Sequence, residues 1–439
     1  MKKLTALILA LAMCLSLAAC AGTGSKETQT PAPSNAGTES QAPQGGGDEE
    51  KVVKIGVLLP FSGSSSYFGE SQMVGYEHAL EDFMNHYGDT LNGMKIELVK
   101  GDTAGVADTG VTEAERLIND EKVSAIIGTY NSGTAAAIAP IAIKYKTPFM
   151  VTNAVSDVIL SEDSNYVFRS NLGDKDGAST YVKLLQWLGE LRGAPITKVA
   201  ILYEGTDYGQ GAYNTFKDSI LPAAGAEVVF GESFANNSTD LSSVLNKIKQ
   251  TDAELIIPVM FLNDALLFTR QMKEYKVDIP VLAYGGGFLG DDYTSQAGEA
   301  AEYIMVSGSW IYDEDAMSDE AKEWCARFVK ETGNTTANEP YANGWMGMYA
   351  LLEAIARAGS ADREAIATAI DETDIPVGDR ALMFHATFGG IKYEDFDGRY
   401  NQNSKSGMQY AQVLGGRWKI IFPLDESPVV FPIPAYADR

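Results

Sequence analysis

From Val52 onward, short apolar runs alternate with amphipathic stretches, and this alternation constrains the fold more than any other feature of the chain. Strand-like runs fall at "VVKIGVLLP" (52–60), "KIELVKGD" (95–102), "VSAIIG" (123–128) and "TPFMVT" (147–152), with helical periodicity at 69–87, 107–121 and 135–145. Such runs are apolar on both faces, so the strand–helix–strand order predicts a mostly parallel sheet covered by helices on each side. A second series has helical stretches at 174–192, 211–224, 241–250 and 263–275, with strands at 198–204, 227–234, 254–260 and 279–284. Two series in 439 residues predict two α/β lobes of similar architecture, without a residue-level repeat. Later helices are expected at 319–332, 345–358 and 363–372, and the tail from Gly390 reads as strands joined by turns.

The first twenty residues, "MKKLTALILALAMCLSLAAC", read as targeting rather than fold. Lys2 and Lys3 give a basic start, and the apolar stretch from Leu4 to Leu17 is short for a membrane-spanning helix. "LAAC" resembles a bacterial lipobox, which makes Cys20 the lipidated first residue of the mature chain; an ordinary secretory cleavage site is the alternative. Residues 21–51 are rich in Ser, Thr, Pro, Gly and Gln and have no apolar period, as in a flexible tether. The expected arrangement is a signal peptide over 1–19, a lipid-anchored linker over 20–51, and a domain held at the extracytoplasmic face of the membrane.

Several chemistries are excluded. A net charge of −25 repels phosphate backbones, so no nucleic-acid partner is expected. Of three cysteines, Cys14 and Cys20 belong to the leader, leaving Cys325 as a small packed residue without a disulfide partner. His78, His86 and His385 lack zinc-ligand spacing, and the first two read as a solvated helix face, so neither metal nor cofactor is expected. "GGGFLG" (285–290) matches a dinucleotide fingerprint literally, but Asp291 and Asp292 follow where a pyrophosphate would be repelled. There is no G-x-S-x-G elbow or P-loop, and Ser132 has no predictable histidine partner; an exported hydrolase is therefore a distant rival, and no enzyme is expected.

Ligands of open α/β sheets bind beyond the carboxyl ends of the strands. The loops there are 60–69, 128–133, 152–157, 204–211, 260–264 and 284–290. They mix small polar residues with Tyr67, Phe68, Tyr130, Tyr208, Phe261, Tyr284 and Phe288, the composition of a small-molecule pocket.

Four segments carry a resemblance. "IGVLLPFSGSSSYFGESQMVGYEHALEDFMN", "IIGTYNSGTAAAIAPIAIKYKTPFMVTNAVSD", "VAILYEGTDYGQGAYNTFKD" and "GWMGMYALLEAIARAG", in this order, resemble the type I solute-binding proteins of ABC importers, the leucine/isoleucine/valine-binding group, over about residues 52–423. The resemblance implies two doubly wound, Rossmann-like lobes joined by three crossings: lobe 1 from 52–173 and 308–409, lobe 2 from 174–307 and 410–439. It implies a hinged trap for a small polar ligand, an amino acid or a related carboxylate or amide, passed to an ABC permease and its ATPase by a monomeric binding protein. A sensor lobe of a receptor system is the alternative; no transmembrane or signalling segment is expected after Arg439. By the same resemblance Ser132 and Ser156 match hydroxyls that hold the ligand carboxylate, Gly133 is among the small residues that let the ligand reach free N–H groups at the helix start, and Ala154 matches a backbone contact. Phe68, Tyr208 and Phe261 match aromatic walls, and Tyr341 a further one, offset by one residue. Gly285 stands where amino-acid binders carry a glutamate for the α-ammonium. With three successive glycines there, leucine, isoleucine and valine are expected to bind weakly, and a bulkier ligand or one without an α-amino group better, unless Asp207 or Asp264 replaces the acid.

Overall fold

The computed structural model describes residues 51–88, 91, 93–290, 292–422 and 427–436. The predicted signal peptide, the Cys20 lipobox, nearly all of the tether and Asp291 lie outside the described residues.

Eight strands form one sheet, in the spatial order Asp374–Ile375, Ile391–Phe396, Arg399–Asn403, Val167–Arg169, Phe149–Val151, Ala125–Gly128, Lys51–Leu59 and Met94–Asp102. From Arg399–Asn403 to Met94–Asp102 all neighbours are parallel. Alternation along the strands divides the core. Val53, Ile55, Val57 and Leu59 pack beneath the helices Ser66–Tyr87 and Glu339–Ala358. Leu58 and Ile126 face the helices Ala107–Asn119 and Ser132–Lys144 on the other side.

The second set of strands is built around the parallel trio Glu227–Phe234, Lys198–Glu204 and Leu255–Val259. A bridge between Ile256 and Val281 joins it to Leu282–Tyr284, Met305–Gly308, Gln409–Leu414 and Arg417–Phe422. Between the two sets the chain passes three times, after Arg169, after Gly308 and after Asn403. We refer to the two sets with their helices as lobe 1 and lobe 2.

Several helices begin earlier than their periodicity suggests, and two of these early starts bear on the cleft. The one expected at 135 starts at Ser132, so "SGT" is its first turn. The one expected at 345 starts at Glu339: Asn338 caps it by accepting the Tyr341 N–H at 3.1 Å, and Pro340 occupies the first turn, where a missing N–H costs nothing.

His78 corrects one expectation. It is buried rather than solvated, with Nδ1 3.0 Å from the Tyr341 hydroxyl and Nε2 2.9 Å from Glu331 Oε2. Cys325 packs in the lobe 1 core beside Met317, and burial pushes its thiol up to about 12.

Beneath the crossings lie two buried arginines. Arg399 donates to Asp157 at 3.2 Å and to Asp176 at 2.6 Å. Arg169 donates to Asp157 at 3.0 Å, to Gln402 Oε1 at 2.6 Å, and to the carbonyls of Ser156 at 3.0 Å and Ala154 at 3.5 Å. A side chain at Gly173 would run into the Arg169 guanidinium, which is why a glycine stands where the first crossing passes over it.

Candidate functional site

Strand Ala125–Gly128 ends in the turn that leads to Asn131, the N-cap of the helix Ser132–Lys144. Asn131 makes no side-chain cap hydrogen bond, so the first-turn N–H groups keep their capacity for an anion, and the helix dipole favours one there. Ser132 Oγ accepts the Ser156 N–H at 3.4 Å, which ties the two predicted serines into one corner. Arg169, bonded to the Ser156 and Ala154 carbonyls, supports that corner from below.

Two small cavities adjoin it. One, about 50 Å³, is bordered by Tyr130, Asn131, Ser132, Asn153 and Val155 of lobe 1, by Tyr208, Phe261 and Gly286 of lobe 2, and by Glu339. The other, about 40 Å³, shares Val155, Tyr208, Gly286 and Glu339 and reaches Tyr284, Gly285, Ser307 and Ser309. Across the cleft the lobes touch. The rings of Tyr130 in lobe 1 and Phe261 in lobe 2 lie 6.2 Å apart, and within lobe 2 Phe261 lies 5.6 Å from Tyr208. A Cβ on Gly133 would stand 3.2 Å from Asp207 Oδ2, and one on Gly211 3.2 Å from Ser156 Oγ. This is a closed arrangement.

Of the residues singled out from sequence, Ser132, Tyr208, Phe261 and Gly285 border the cavities. Phe68 does not; it stacks on Tyr130 at 4.6 Å and supports that wall. Gly133 lies at the contact between the lobes, and Ser156 faces Gly211 there. Ala154 corrects an expectation: its N–H is taken by the Thr129 carbonyl at 3.2 Å and is not presented to the cleft. Tyr341 corrects another. Its ring is buried against Phe328 and Phe384 in the lobe 1 core and its hydroxyl bonds His78, because the one-residue offset on a helix turns it away from the cleft.

The glycines at 285–287 do not make room for a bulky ligand. Gly285 and Gly286 have φ of 44° and 56°, which side-chain-bearing residues avoid. A Cβ on Gly286 would stand 2.5 Å from the Tyr208 hydroxyl, and one on Gly287 would overlap the backbone of Phe261 and Leu262. The space is filled by protein, and the Tyr208 hydroxyl donates to the Tyr284 carbonyl at 2.6 Å.

One acid borders the cavities from another element. Glu339 borders both cavities, and its Oε1 accepts the Ser309 N–H and hydroxyl at 2.7 Å each. Burial pushes its carboxyl up, opposed by the donors of Ser309 and Trp310. Nothing in the local sequence marked it, since helical periodicity starts only at Trp345. Asp264 is not the substitute: its carboxylate accepts the N–H groups of Asn237 and Ser238. Asp174, on the first crossing, accepts the Tyr284 hydroxyl at 3.0 Å; burial, reinforced by the Asp157 charge and opposed by Arg169, pushes it up to about 8.

A larger cavity, about 260 Å³, also reaches Glu339 and lies between Trp310, Tyr312 and Asn338 on one side and Leu289, Trp418 and Lys419 on the other. It contains no residue predicted from sequence, and Lys419 is already paired with Asp313 at 3.1 Å. Among the described residues no cluster of His, Cys, Asp and Glu suits a metal, and no helix is long and apolar enough to cross a membrane.

With this geometry in hand, three kinds of likeness are informative. A family model described as "Periplasmic binding protein" matches residues 52–414. The Leu/Ile/Val-binding protein homolog 7 of Brucella suis biovar 1 is 27% identical over 384 residues, covering 84% of this chain and 91% of that protein. Among solved structures, a leucine-binding protein, LivK, of Thermotoga maritima superposes with a TM-score of 0.71 at 26% identity, covering 84% of this chain and 97% of that one. A solute-binding protein of an ABC transporter from Rhodopseudomonas palustris BisB5, in complex with 3,4-dihydroxy benzoic acid, superposes at 0.69 with 23% identity over 87% and 99%. These relatives share the architecture, and their ligands differ in whether they carry an amino group.

Proposed function

This chain belongs to the periplasmic binding protein family, and from that premise we propose that it is a lipid-anchored, extracytoplasmic solute-binding protein that captures a small carboxylate-bearing ligand and delivers it to an ABC permease. The observation that carries this reading is the cavity shared by both lobes at the uncapped start of the helix Ser132–Lys144. Free N–H groups and the Ser132 hydroxyl favour a carboxylate, and Tyr130, Tyr208 and Phe261 supply apolar walls. Lobes that meet around such a site enclose the ligand by closing, the hinge motion of this architecture. Solute binding by the T. maritima and R. palustris proteins supports the assignment. The leader ending in Cys20 supports membrane anchoring outside the cytoplasm.

A thermal-shift screen against amino acids, amides, short acids and aromatic acids tests the reading, since a ligand that binds only the native state raises Tm by mass action. For the compound with the largest shift, Ser132→Ala should weaken binding by about 1–3 kcal/mol, the worth of a hydrogen bond to a charged group. Ser156→Ala should weaken it less, because that hydroxyl faces Gly211. Unchanged affinity in both variants would move the ligand out of this corner. For the anchor, Cys20→Ser should leave a folded protein that no longer sediments with membranes; retention in the membrane fraction would argue against lipidation.

A further inference from the structure

The cavity of about 260 Å³ between Trp310 and Trp418 stands apart from the solute cleft. It shares only Glu339 with the two smaller cavities, and none of Tyr130, Ser132, Tyr208 or Phe261 borders it. Leu289, Thr294 and Trp418 wall it from lobe 2, and Trp310, Tyr312 and Thr336 from lobe 1. Its volume lies just below the roughly 300 Å³ at which pockets for drug-sized molecules begin.

The rings make the walls apolar and stiff. Trp310 and Tyr312 meet edge to face at 6.2 Å, and Trp418 is backed by Tyr293, stacked at 6.0 Å. Among these rings stand polar groups that have no partner within the protein. The hydroxyls of Thr294, Tyr312 and Thr336 make no hydrogen bond to another described residue. Neither does the indole N–H of Trp418, although that residue is nine-tenths buried. A buried donor left without an acceptor costs about 1–3 kcal/mol, and a hydroxyl can turn to donate or to accept.

The charges around the cavity balance. Lys419 is paired with Asp313 at 3.1 Å, whose other oxygen accepts the Ile420 N–H at 2.9 Å. Glu339 has its Oε1 held by two donors of Ser309. Arg417 and Glu314 remain, one of each sign; both are exposed, and no ion pair among the described residues includes either. An ion entering here is attracted by one and repelled by the other, and water screens both. A neutral molecule meets no such opposition.

We propose that this cavity is a second small-molecule site, separate from the solute cleft, and that it takes a neutral saccharide. A pyranose ring has C–H faces that lie on aromatic rings and a rim of hydroxyls that both donate and accept. Trp310, Tyr312 and Trp418 meet the faces, while the three free hydroxyls and the Trp418 N–H meet the rim. The guanidinium of Arg417 carries its donors in a fixed fork, which suits two neighbouring sugar hydroxyls. The cleft and this cavity then hold different chemical classes.

Tryptophan fluorescence tests this, because two of the five tryptophans line the cavity. The probes are D-glucose, D-galactose, N-acetyl-D-glucosamine, maltose and cellobiose, with benzoate, benzylamine and L-phenylalanine as charged controls. At least one sugar should give a saturable change with a Kd of about 1 mM or below. Arg417→Ala should weaken that sugar about tenfold and Tyr312→Phe about threefold, the worth of one or two hydrogen bonds. Neither change removes a hydrogen bond within the protein, so a level Tm without sugar separates lost binding from lost fold. Ser132→Ala should leave sugar binding as it is. No saturable change with any sugar, or sugar binding that neither Arg417→Ala nor Tyr312→Phe weakens, overturns the inference. Sugar binding that Ser132→Ala abolishes also overturns it, by placing the sugar in the cleft. Binding of a charged control that Arg417→Ala weakens, with no sugar bound, overturns the ligand class.

Discussion

Arg169→Met should lower the unfolding free energy by about 3–5 kcal/mol, the range for removing one partner of a buried ion pair, and should weaken ligand binding more than tenfold in the protein that still folds. Arg169 is completely buried and donates four hydrogen bonds. Methionine fills much of the same volume but leaves Asp157, the Gln402 side-chain carbonyl and two main-chain carbonyls short of a donor. Asp157 retains Arg399 at 3.2 Å and Lys175 at 4.0 Å, which places the stability loss toward the lower end of the range. The effect on binding follows from where the freed carbonyls lie: Ser156 is one of them, and its N–H donates to Ser132 Oγ. Arg169→Lys should recover less than half of the stability, because an ammonium cannot reach all these acceptors with the fork geometry of a guanidinium. Urea unfolding and calorimetry measure the two effects; a denaturation midpoint unchanged from wild type would show that the network contributes little.

That network also shows where sequence reading stops. The strands at 52–60, 95–102, 198–204 and 227–234 are observed within one residue of their predicted ends. Each is a continuous apolar or alternating run bounded by polar residues, and burial of such a run is decided locally. Val167–Arg169 was not predicted, since three residues carry no period, yet it is the strand that places Arg169 against Gln402, 233 positions away. Contacts over such separations leave no local trace.

The candidate site divides the same way. Ser132, Tyr208 and Phe261 sit in loops that the strand–helix order brings to one edge of the sheets, and the order could be read directly. Glu339 could not. Pro340 and Gly344 lower helical propensity in "NEPYANGW", which hides a helix start that the Asn338 cap nevertheless fixes. The glycines at 285–287 were legible as a special feature but not for the right reason, since composition does not reveal that Tyr208 and Phe261 occupy the space beside them.

Gly133→Leu should abolish ligand binding, a loss of at least about 100-fold, while leaving the ligand-free protein as stable as the parent or slightly more so. Gly133 is in the first turn of the helix Ser132–Lys144 and has an ordinary backbone, so no φ penalty attaches to the change, and leucine is the better helix former. What stands against it is on the other lobe. A Cβ at this position would lie 3.2 Å from Asp207 Oδ2, at the start of the helix Asp207–Thr215, already closer than most carbon contacts. Alanine would be accommodated by a shift of a few tenths of an ångström, so Gly133→Ala should cost little. The further carbons of leucine extend into the space that the Asp207 turn fills when the lobes meet, and a cleft that cannot close leaves the ligand held by one lobe alone. Binding should therefore change little at alanine and fall steeply at leucine while Tm without ligand stays level, with the ligand-induced rise in Tm lost only for leucine. If Gly133→Leu still binds the wild-type ligand with unchanged affinity, the contact between Gly133 and Asp207 does not form part of the bound state, and the closed arrangement of the two lobes is not the one that holds the ligand.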